Sequence, residues 1–444
     1  MTAKIYYREF WGVKKLDELS QSVNSAFDIN KCKVLNPQSV IGSPFVVTHN
    51  SENYFDWPDL REIFVQDFSG VQTKRDSFLV DIDRDKLTER LEIFFDVNIH
   101  DDDLHSQYPD SLKNLNNNSA TRARKKFVNR GLLSDNFFEY NYKPFDRRYL
   151  YWEGDYGYLG TPSHKFVSAI RNIPDNFYLE FRKKENKLNF SRFFISQTLA
   201  DNMGNGFSNY LPLKYIDEYG KTKFNIRKSV FLNAKILDEE QLFYFVVAVL
   251  HSSKYRIENG SILTKSLPRI PNDFDEDSMA ELSKFGRDLC SYYCSGISNS
   301  CLNSLMGSIG IPDFNGVPDL SIDAEWGRSD PKGAVFPGAG LPLIHTGSDK
   351  ITHPKTGAIL DVASCVLPLN HSLKLKTVPV EILDFEISGY KVIKKWLSYR
   401  AEPVLQRELS HQELEELKLI IIKLFLISIT SKDIDSVIPL LSSK

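Results

Sequence analysis

Four groups of residues have types and spacing suited to chemistry, and each also has a plainer reading. Phe336-Pro337-Gly338-Ala339-Gly340 has the F-x-G-x-G form of a loop that binds S-adenosylmethionine. Such a loop needs a strand before it and a helix after it, and Pro342 argues against a helix running straight on, so a turn between strands is favoured. Pro174-Asp175 followed by Glu185-Asn186-Lys187 fits a loose P-D…E-x-K spacing. In that arrangement two carboxylates hold a divalent metal and a lysine assists the attacking water. A solvated turn followed by the charged run Arg182-Lys183-Lys184-Glu185 accounts for the same residues. Between 119 and 150, Arg122, Arg124, Lys125, Lys126, Arg130, Lys143, Arg147 and Arg148 face only Asp135, Glu139 and Asp146. Phe127, Tyr140, Tyr142, Phe145 and Tyr149 are interleaved with them. Cations neutralise phosphates and release counterions, and aromatic rings stack on exposed bases, so this strip is suited to nucleic acid. Its plainer reading is a solvated helix face followed by an aromatic core strand. Thr73-Lys74-Arg75-Asp76, after Gly70, is either an anion-binding loop or a simple turn.

Missing motifs narrow the field. There is no G-x-x-x-x-G-K-[ST], no H-E-x-x-H and no G-x-S-x-G. Methylation of the amino group of a flipped base uses a [DNS]-P-P-[YFW] loop, and the 20 prolines include no Pro-Pro pair. The five cysteines, Cys32, Cys290, Cys294, Cys301 and Cys365, form neither a disulfide framework nor a zinc knuckle. Cys290 and Cys294 are spaced i, i+4 with no histidine near them in sequence, and read, like His251, as core residues.

Composition sets the outer bounds. Hydrophobic residues at 42% and charged residues at 25% exclude a disordered chain, and 444 residues suggest two or three units. A formal net charge of -3 excludes a uniformly basic coat, so any nucleic-acid surface must be a local patch. Thirty Phe and 20 Tyr favour β-rich or mixed packing. The opening MTAKIYYREFWG lacks an apolar signal core, and the apolar run 419–427 is broken by Lys423 and too short to span a bilayer. No membrane association and a cytoplasmic location are expected.

Periodicity predicts helices over 14–27, 83–95, 119–132, 239–251, 279–293, 387–399 and 412–429. Residues 3–10, 34–47, 63–65, 78–80, 149–151, 177–179, 193–195 and 211–215 read as extended. Residues 96–119 read as a polar linker, and 305–380 as Gly/Pro-rich with short extended pieces.

Six stretches, in order, resemble segments of one family. KIYYREFWG (4–12) is similar to the strand that closes a methyltransferase sheet, and SGVQTKRDSFLV (69–80) resembles the G-[IV]-x-T-x-x-D opening of a target-recognition region. YKPFDRRYLYW (142–152) resembles Y-R-P-F-D-x-R-x-[IL]-Y-[YW], with Lys143 in place of the usual arginine. ISQTLADN (195–202) with YLPLKY (210–215) is similar to I-x-D…F-P-L-Y-L-Y. LFYFVVAVLHSSKYR (242–256) with LTKSLPRIP (263–271) resembles a helix and its connector. ILDFEISGYKVIKKWLSYR (382–400) looks like V-W-x-F-x-[IV]-G-G-Y-x-V-x-x-x-W-L-x-x-R, with Ser388 for the first glycine. The family is the single-chain Type ISP restriction-modification enzymes, and the region resembled is their C-terminal specificity region.

The resemblance implies an α+β, β-rich target-recognition domain with helical elements and a helical C-terminal tail, preceded by a remnant of an α/β methyltransferase sheet. The expected division is 1–68 for that remnant or docking segment, 69–400 for DNA specificity, and 401–444 for the tail. The implied function is sequence-specific recognition of double-stranded DNA for a restriction-modification or related phage-defence system. N6-adenine methylation would then be done by a methyltransferase module absent here, so no cofactor is expected in this chain and S-adenosylmethionine belongs to that partner. The chain is accordingly a free-standing subunit, a truncated gene or an excised piece. Expected DNA contacts are Thr73, Lys74, Arg75, Arg122, Arg124, Lys125, Lys126, Lys143, Arg147 and Arg148. Arg147 and Arg148 have an alternative, structural role beside Asp146. Two other functions stay open: a divergent metal-dependent nuclease using Asp175, Glu185 and Lys187, and a protein-interaction remnant within a defence locus.

Overall fold

Short polar side chains placed just ahead of apolar runs start the helices. Asp83 accepts from the backbone N–H groups of Asp85 and Lys86 and opens Arg84–Phe95. Ser119 opens the basic helix Ala120–Arg130 in the same way. Capping boxes, Asp238 with Gln241 and Ser410 with Glu413, open the buried helix Glu239–His251 and the long C-terminal helix His411–Val437. The computed structural model describes residues 5–10, 12–24, 28–35, 51, 53–115, 118–182, 193–202, 208–264, 266–294, 299–314, 316–322, 327–329, 335–337, 344–387 and 389–438.

Within these residues the strands form several small sheets. One has the order Phe68–Ser69, Asn209–Pro212, Tyr178–Phe181, Ile195–Ser196, all antiparallel. A second runs Val80–Asp81, Asp146–Tyr151, Phe137–Lys143, Leu199–Ala200, with the last pair parallel. A third runs Ile311–Phe314, Leu373–Pro379, Ile359–Pro368, Ile344–Thr352. At the N-terminal end, Ile5–Tyr7 pairs antiparallel with Lys33–Leu35 around the helix Lys15–Asn24.

Two hydrophobic cores hold these elements. The smaller gathers Phe78, Leu87, Phe94, Phe127, Tyr140, Leu150 and Phe166. The larger surrounds Glu239–His251 and takes in Leu60, Ile63, Trp396 and most apolar residues of the C-terminal helix. The first sheet is the wall between them: Tyr178 and Tyr210 face the smaller core, while Leu179, Phe181 and Leu211 face the larger, the alternation a strand imposes.

Close backbone approach demands glycine at two points. A Cβ on Gly70 would lie 2.6 Å from the Asn202 backbone nitrogen, because the segment 200–202 bonds to Val71 on that side. A Cβ on Gly286 would collide with the Tyr244 carbonyl, where the helix Glu276–Tyr293 crosses the buried helix.

Five expectations change. Residues 63–65 and 78–80 were expected extended throughout, but Ile63 ends a helical turn capped by Asp59 while Phe64 bridges Ile226, and Asp76–Leu79 is a turn of helix before Val80–Asp81. The polar stretch 96–119 holds the helix Asp101–Gln107, whose three leading aspartates suit its N-terminal dipole. Residues 344–379 form long strands, irregular in register at His345/Gly347 and Cys365/Leu367. The helix expected over 387–399 is confined to Val392–Arg400, behind the ribbon Glu386–Ile387 and Tyr390–Lys391.

Gly286→Ala is expected to lower unfolding stability by about 1–3 kcal/mol, because the two helices must separate to admit the methyl group. Chemical denaturation measures it. An unchanged midpoint would mean the crossing is looser than its geometry indicates.

Candidate nucleic-acid interface

The basic helix has two faces. Ala120, Ala123, Arg124 and Phe127 are buried, and Arg122, Lys125 and Lys126 are exposed, as helical spacing requires. Among the described residues, none of those three exposed cations has a carboxylate partner. Arg124 was expected on phosphate, but its guanidinium is directed inward. It donates to the carbonyls of Phe94 (2.9 Å) and Asp96 (2.9 Å) and to Asp101 (2.7 Å). These are the last carbonyls of Arg84–Phe95, so Arg124 caps that helix with positive charge.

The 73–76 loop divides similarly. Thr73 is buried; its hydroxyl accepts from the Arg75 backbone and donates to Asp76. Arg75 is only 1% exposed, with its charge over the Tyr158 ring. It donates to the carbonyls of Tyr158 (2.8 Å), Asp110 (2.7 Å) and Lys113 (2.5 Å). The expectation that Thr73 and Arg75 face DNA therefore gives way: this pair ties three loops together. Lys74, in a left-handed conformation, is exposed.

The hairpin Phe137–Lys143 and Asp146–Tyr151 turns at Pro144-Phe145, with Phe145 at φ 62°. Its strands pack in the smaller core, yet Phe145 enters the larger one and stacks on Tyr293 at 5.6 Å. Asp146 follows it inward and meets Arg148 (2.8 Å) and Arg400 (2.9 Å). Burial alone would push the Asp146 carboxyl up. The two guanidinium groups outweigh that and hold it below the ordinary value of 3.8. Arg400 also lies 3.9 Å from Glu413, which binds Arg407.

Arg147 donates to the Cys294 carbonyl (3.1 Å) past the end of Glu276–Tyr293, and Lys423 donates to the same oxygen. Burial and the charge on Arg147 push the Lys423 ammonium down to about 8. Arg148 lies between the rings of Tyr142 (4.0 Å) and Tyr399 (4.6 Å), and Lys143 pairs with Asp201 at 2.7 Å. Lys143, Arg147 and Arg148, expected on phosphates, are thus committed to partners within the protein. Of the structural alternative beside Asp146, Arg148 makes that pair, whereas Arg147 binds the Cys294 carbonyl instead. Beside this seam opens a cleft of about 620 Å³ with mixed charge, Arg84, Arg147 and Arg407 against Glu139, Glu415 and Glu416.

The remaining candidates fall elsewhere. His251 is buried, bonded to Tyr293 (3.1 Å) and to the Val247 carbonyl, and burial pushes it down to about 4. Cys290 and Cys294 are buried, and burial raises both thiols, that of Cys294 to about 12. Asp175 is exposed in a left-handed turn, while Glu185 and Lys187 lie outside the described residues. Phe336 and Pro337 end the strand Val335–Pro337, and Gly338, Ala339 and Gly340 also lie outside the described residues. Among the described residues, no helix is long and apolar enough to cross a membrane. Sequence reasoning missed Arg400 and Lys423, although Lys423 had a signal, a lone charge inside an apolar run.

Arg400→Ala leaves the buried Asp146 carboxylate with Arg148 alone and empties the buried space Arg400 fills, and is expected to cost up to about 3–5 kcal/mol. Asp146 contributes stability at pH values above its unfolded value, and that contribution is lost as pH falls below 3.8 through the lower folded value. Unfolding followed against pH is therefore expected to show a weaker acid dependence in the variant. An equally acid-sensitive variant would remove Asp146 from this role.

The family model for the Type ISP C-terminal specificity domain matches residues 62–418. No curated protein matches the chain. Among solved structures, the chain is similar to the DrdV–DNA complex determined by cryo-electron microscopy, with TM-score 0.60 and 15% identity, over 99% of this chain and 44% of that one. It is also similar to a nuclease-deletion mutant of the Type ISP restriction-modification enzyme LlaGI in complex with a DNA substrate mimic. There the TM-score is 0.52 and the identity 16%, over 98% of this chain and 39% of that one. The ATP-dependent Type ISP enzyme LlaBIII bound to DNA gives TM-score 0.53 and 17% identity, over 96% of this chain and 27% of that one. The chain thus spans less than half the length of each of these proteins, and they share its mixed α+β fold. With the family model covering the basic helix, the hairpin and Arg400 in one stretch, this chain belongs to the Type ISP C-terminal specificity domain family.

Proposed function

We propose that this chain recognises a double-stranded DNA sequence on behalf of a Type ISP restriction-modification enzyme. The observation that carries the reading is the family match over residues 62–418. The DNA present in the three similar structures supports it. In this reading N6-adenine methylation and restriction are done by modules outside this sequence, with S-adenosylmethionine bound there. The lack of any Pro-Pro pair, and so of the base-methylating loop, supports that division. The free thiols of Cys32, Cys290, Cys294 and Cys365 suit a reducing cytoplasm.

Phosphate contact falls to the cations that face outward: Arg122, Lys125 and Lys126 on the basic helix, and Lys74 on its loop. Arg75 fixes from inside the loop that carries Lys74, and Arg124 ties the basic helix to the end of its neighbour Arg84–Phe95. Phosphate contacts set register and orientation, while base edges supply specificity. Nothing described favours a nuclease. Asp175 is solvated, and among the described residues no three His, Cys, Asp or Glu side chains cluster as a metal site.

The test is binding of the purified chain to a randomised duplex library at two salt concentrations, with sequencing of the retained fraction. An enriched motif is expected. Replacing Arg122, Lys125 and Lys126 together by alanine is expected to weaken binding and to reduce the salt slope by about 0.9 for each phosphate no longer neutralised, with the melting temperature unchanged. A slope equal to the wild type's would take DNA off this face. Absence of binding at both salts would overturn the reading.

A further inference from the structure

Resting on the DNA-binding reading above, we propose that Tyr156 is an aromatic DNA contact, its ring packing on a nucleotide beside the phosphates held by the basic helix. It carries no charge and lies outside all of the family-like stretches of the sequence.

The stretch 151–159 is rich in rings, and all but one are inside: Tyr151, Trp152 and Tyr158 are buried, whereas Tyr156 is 57% exposed. Exposure of one tyrosine is ordinary, but its backbone is not. Tyr156 has φ 55° and Gly157 φ 65°, and the Tyr158 N–H donates to the Asp155 carbonyl at 3.1 Å. Two successive left-handed residues closed by that bond make a turn of the I′ kind, where Asn, Asp or Gly normally occupies the first central position. A tyrosine there is disfavoured by contact between its Cβ and the backbone, and the fold retains it without burying the ring.

The turn is clamped from both ends. A Cβ on Gly157 would collide with the Asn118 side chain, so the turn lies against the residue preceding the helix cap Ser119. Tyr158 accepts from Arg75 through its carbonyl and donates its hydroxyl to the Ser111 carbonyl at 2.7 Å. The ring of Tyr156 leans on Phe127 of the basic helix with centroids 5.6 Å apart. One side of the ring therefore rests on the helix that displays Arg122, Lys125 and Lys126, and the rest faces solvent. A ring held on a clamped turn against the basic helix binds at small entropic cost, since only its own torsions remain to be fixed. The Asp155 carboxylate beside it is exposed and Glu153 is paired with Arg130, so the contact is one of surface and stacking, not charge.

The experiment compares Tyr156→Gly and Tyr156→Phe with the wild-type chain, using the duplex motif enriched from the library. Glycine relieves the left-handed strain, so the variant is expected to melt at or above the wild-type temperature while its affinity falls roughly tenfold, within the range for removing one stacked base. Its salt slope is expected to be unchanged, because no cation is removed, and the phenylalanine variant is expected to bind within about twofold of wild type. Unchanged affinity in Tyr156→Gly, with the triple basic variant still weakened, would overturn the Tyr156 contact and leave the DNA reading intact. A lowered melting temperature alongside the weaker affinity would make Tyr156 structural. Loss of binding in Tyr156→Phe would assign the effect to the hydroxyl and overturn the aromatic contact. Failure of the wild type to bind would overturn both proposals.

Discussion

A buried carboxylate, Asp146, fixes the seam where a hairpin of one core enters the other. It sits at the tip of a hairpin rooted in the smaller core, and its partners Arg148 and Arg400 come from both sides of the seam. Removing one guanidinium leaves a single ion pair to offset the burial of the carboxylate, so the arrangement is most stable when complete. Phe145 supplies the apolar part of the same peg by stacking on Tyr293, and Arg147 joins Lys423 at the carbonyl of Cys294. Apolar burial provides the larger share of the attraction. The charges specify where the hairpin enters, since a shift by one residue would turn Asp146 out and Arg147 in.

This constraint redistributes the positive charge of the sequence. The strip 119–150 has eight cations, yet Arg124, Lys143, Arg147 and Arg148 are drawn inside or onto the seam, and Arg130 pairs with Glu153. What remains outward is a short face of one helix. A net charge of -3 is compatible with DNA binding on those terms, because association depends on the local potential and not on the total.

The helices were the most legible part of the fold, because capping side chains and 3.6-residue spacing act locally. Glu239–His251 falls where its apolar run and Asp238 place it. Short extended runs were less legible. Val80 pairs in a sheet, but Phe78 and Leu79 are helical because the Thr73–Arg75–Asp76 contacts turn the chain just before them. For the candidate site, the inward position of Arg124 was readable from spacing alone, since 120, 123, 124 and 127 share a helix face. Arg75 was not readable: its partners are carbonyls of residues 110–113 and 158, and backbone carbonyls have no signature in a sequence. Arg400 and Asp146 lie 254 residues apart, beyond the reach of any periodic pattern.

The inward arginines give the proposed DNA-facing surface a fixed geometry. A surface that discriminates among sequences must hold its contacts in one geometry, since contacts that adapt to every site select none. Here the basic helix is fixed at one edge by Arg124 on the end of its neighbour, and the loops beside it are tied by Arg75 to three carbonyl positions. Both guanidinium groups stand on aromatic rings, Phe94 and Tyr158, which belong to one core cluster with Phe127. The same rings pack within 5.8 Å of each other and pass the support on to the ring of Tyr156 through Phe127. Buried arginine, aromatic core and exposed cation thus form one continuous assembly, and the rigidity of the outermost layer derives from the charges held inside it.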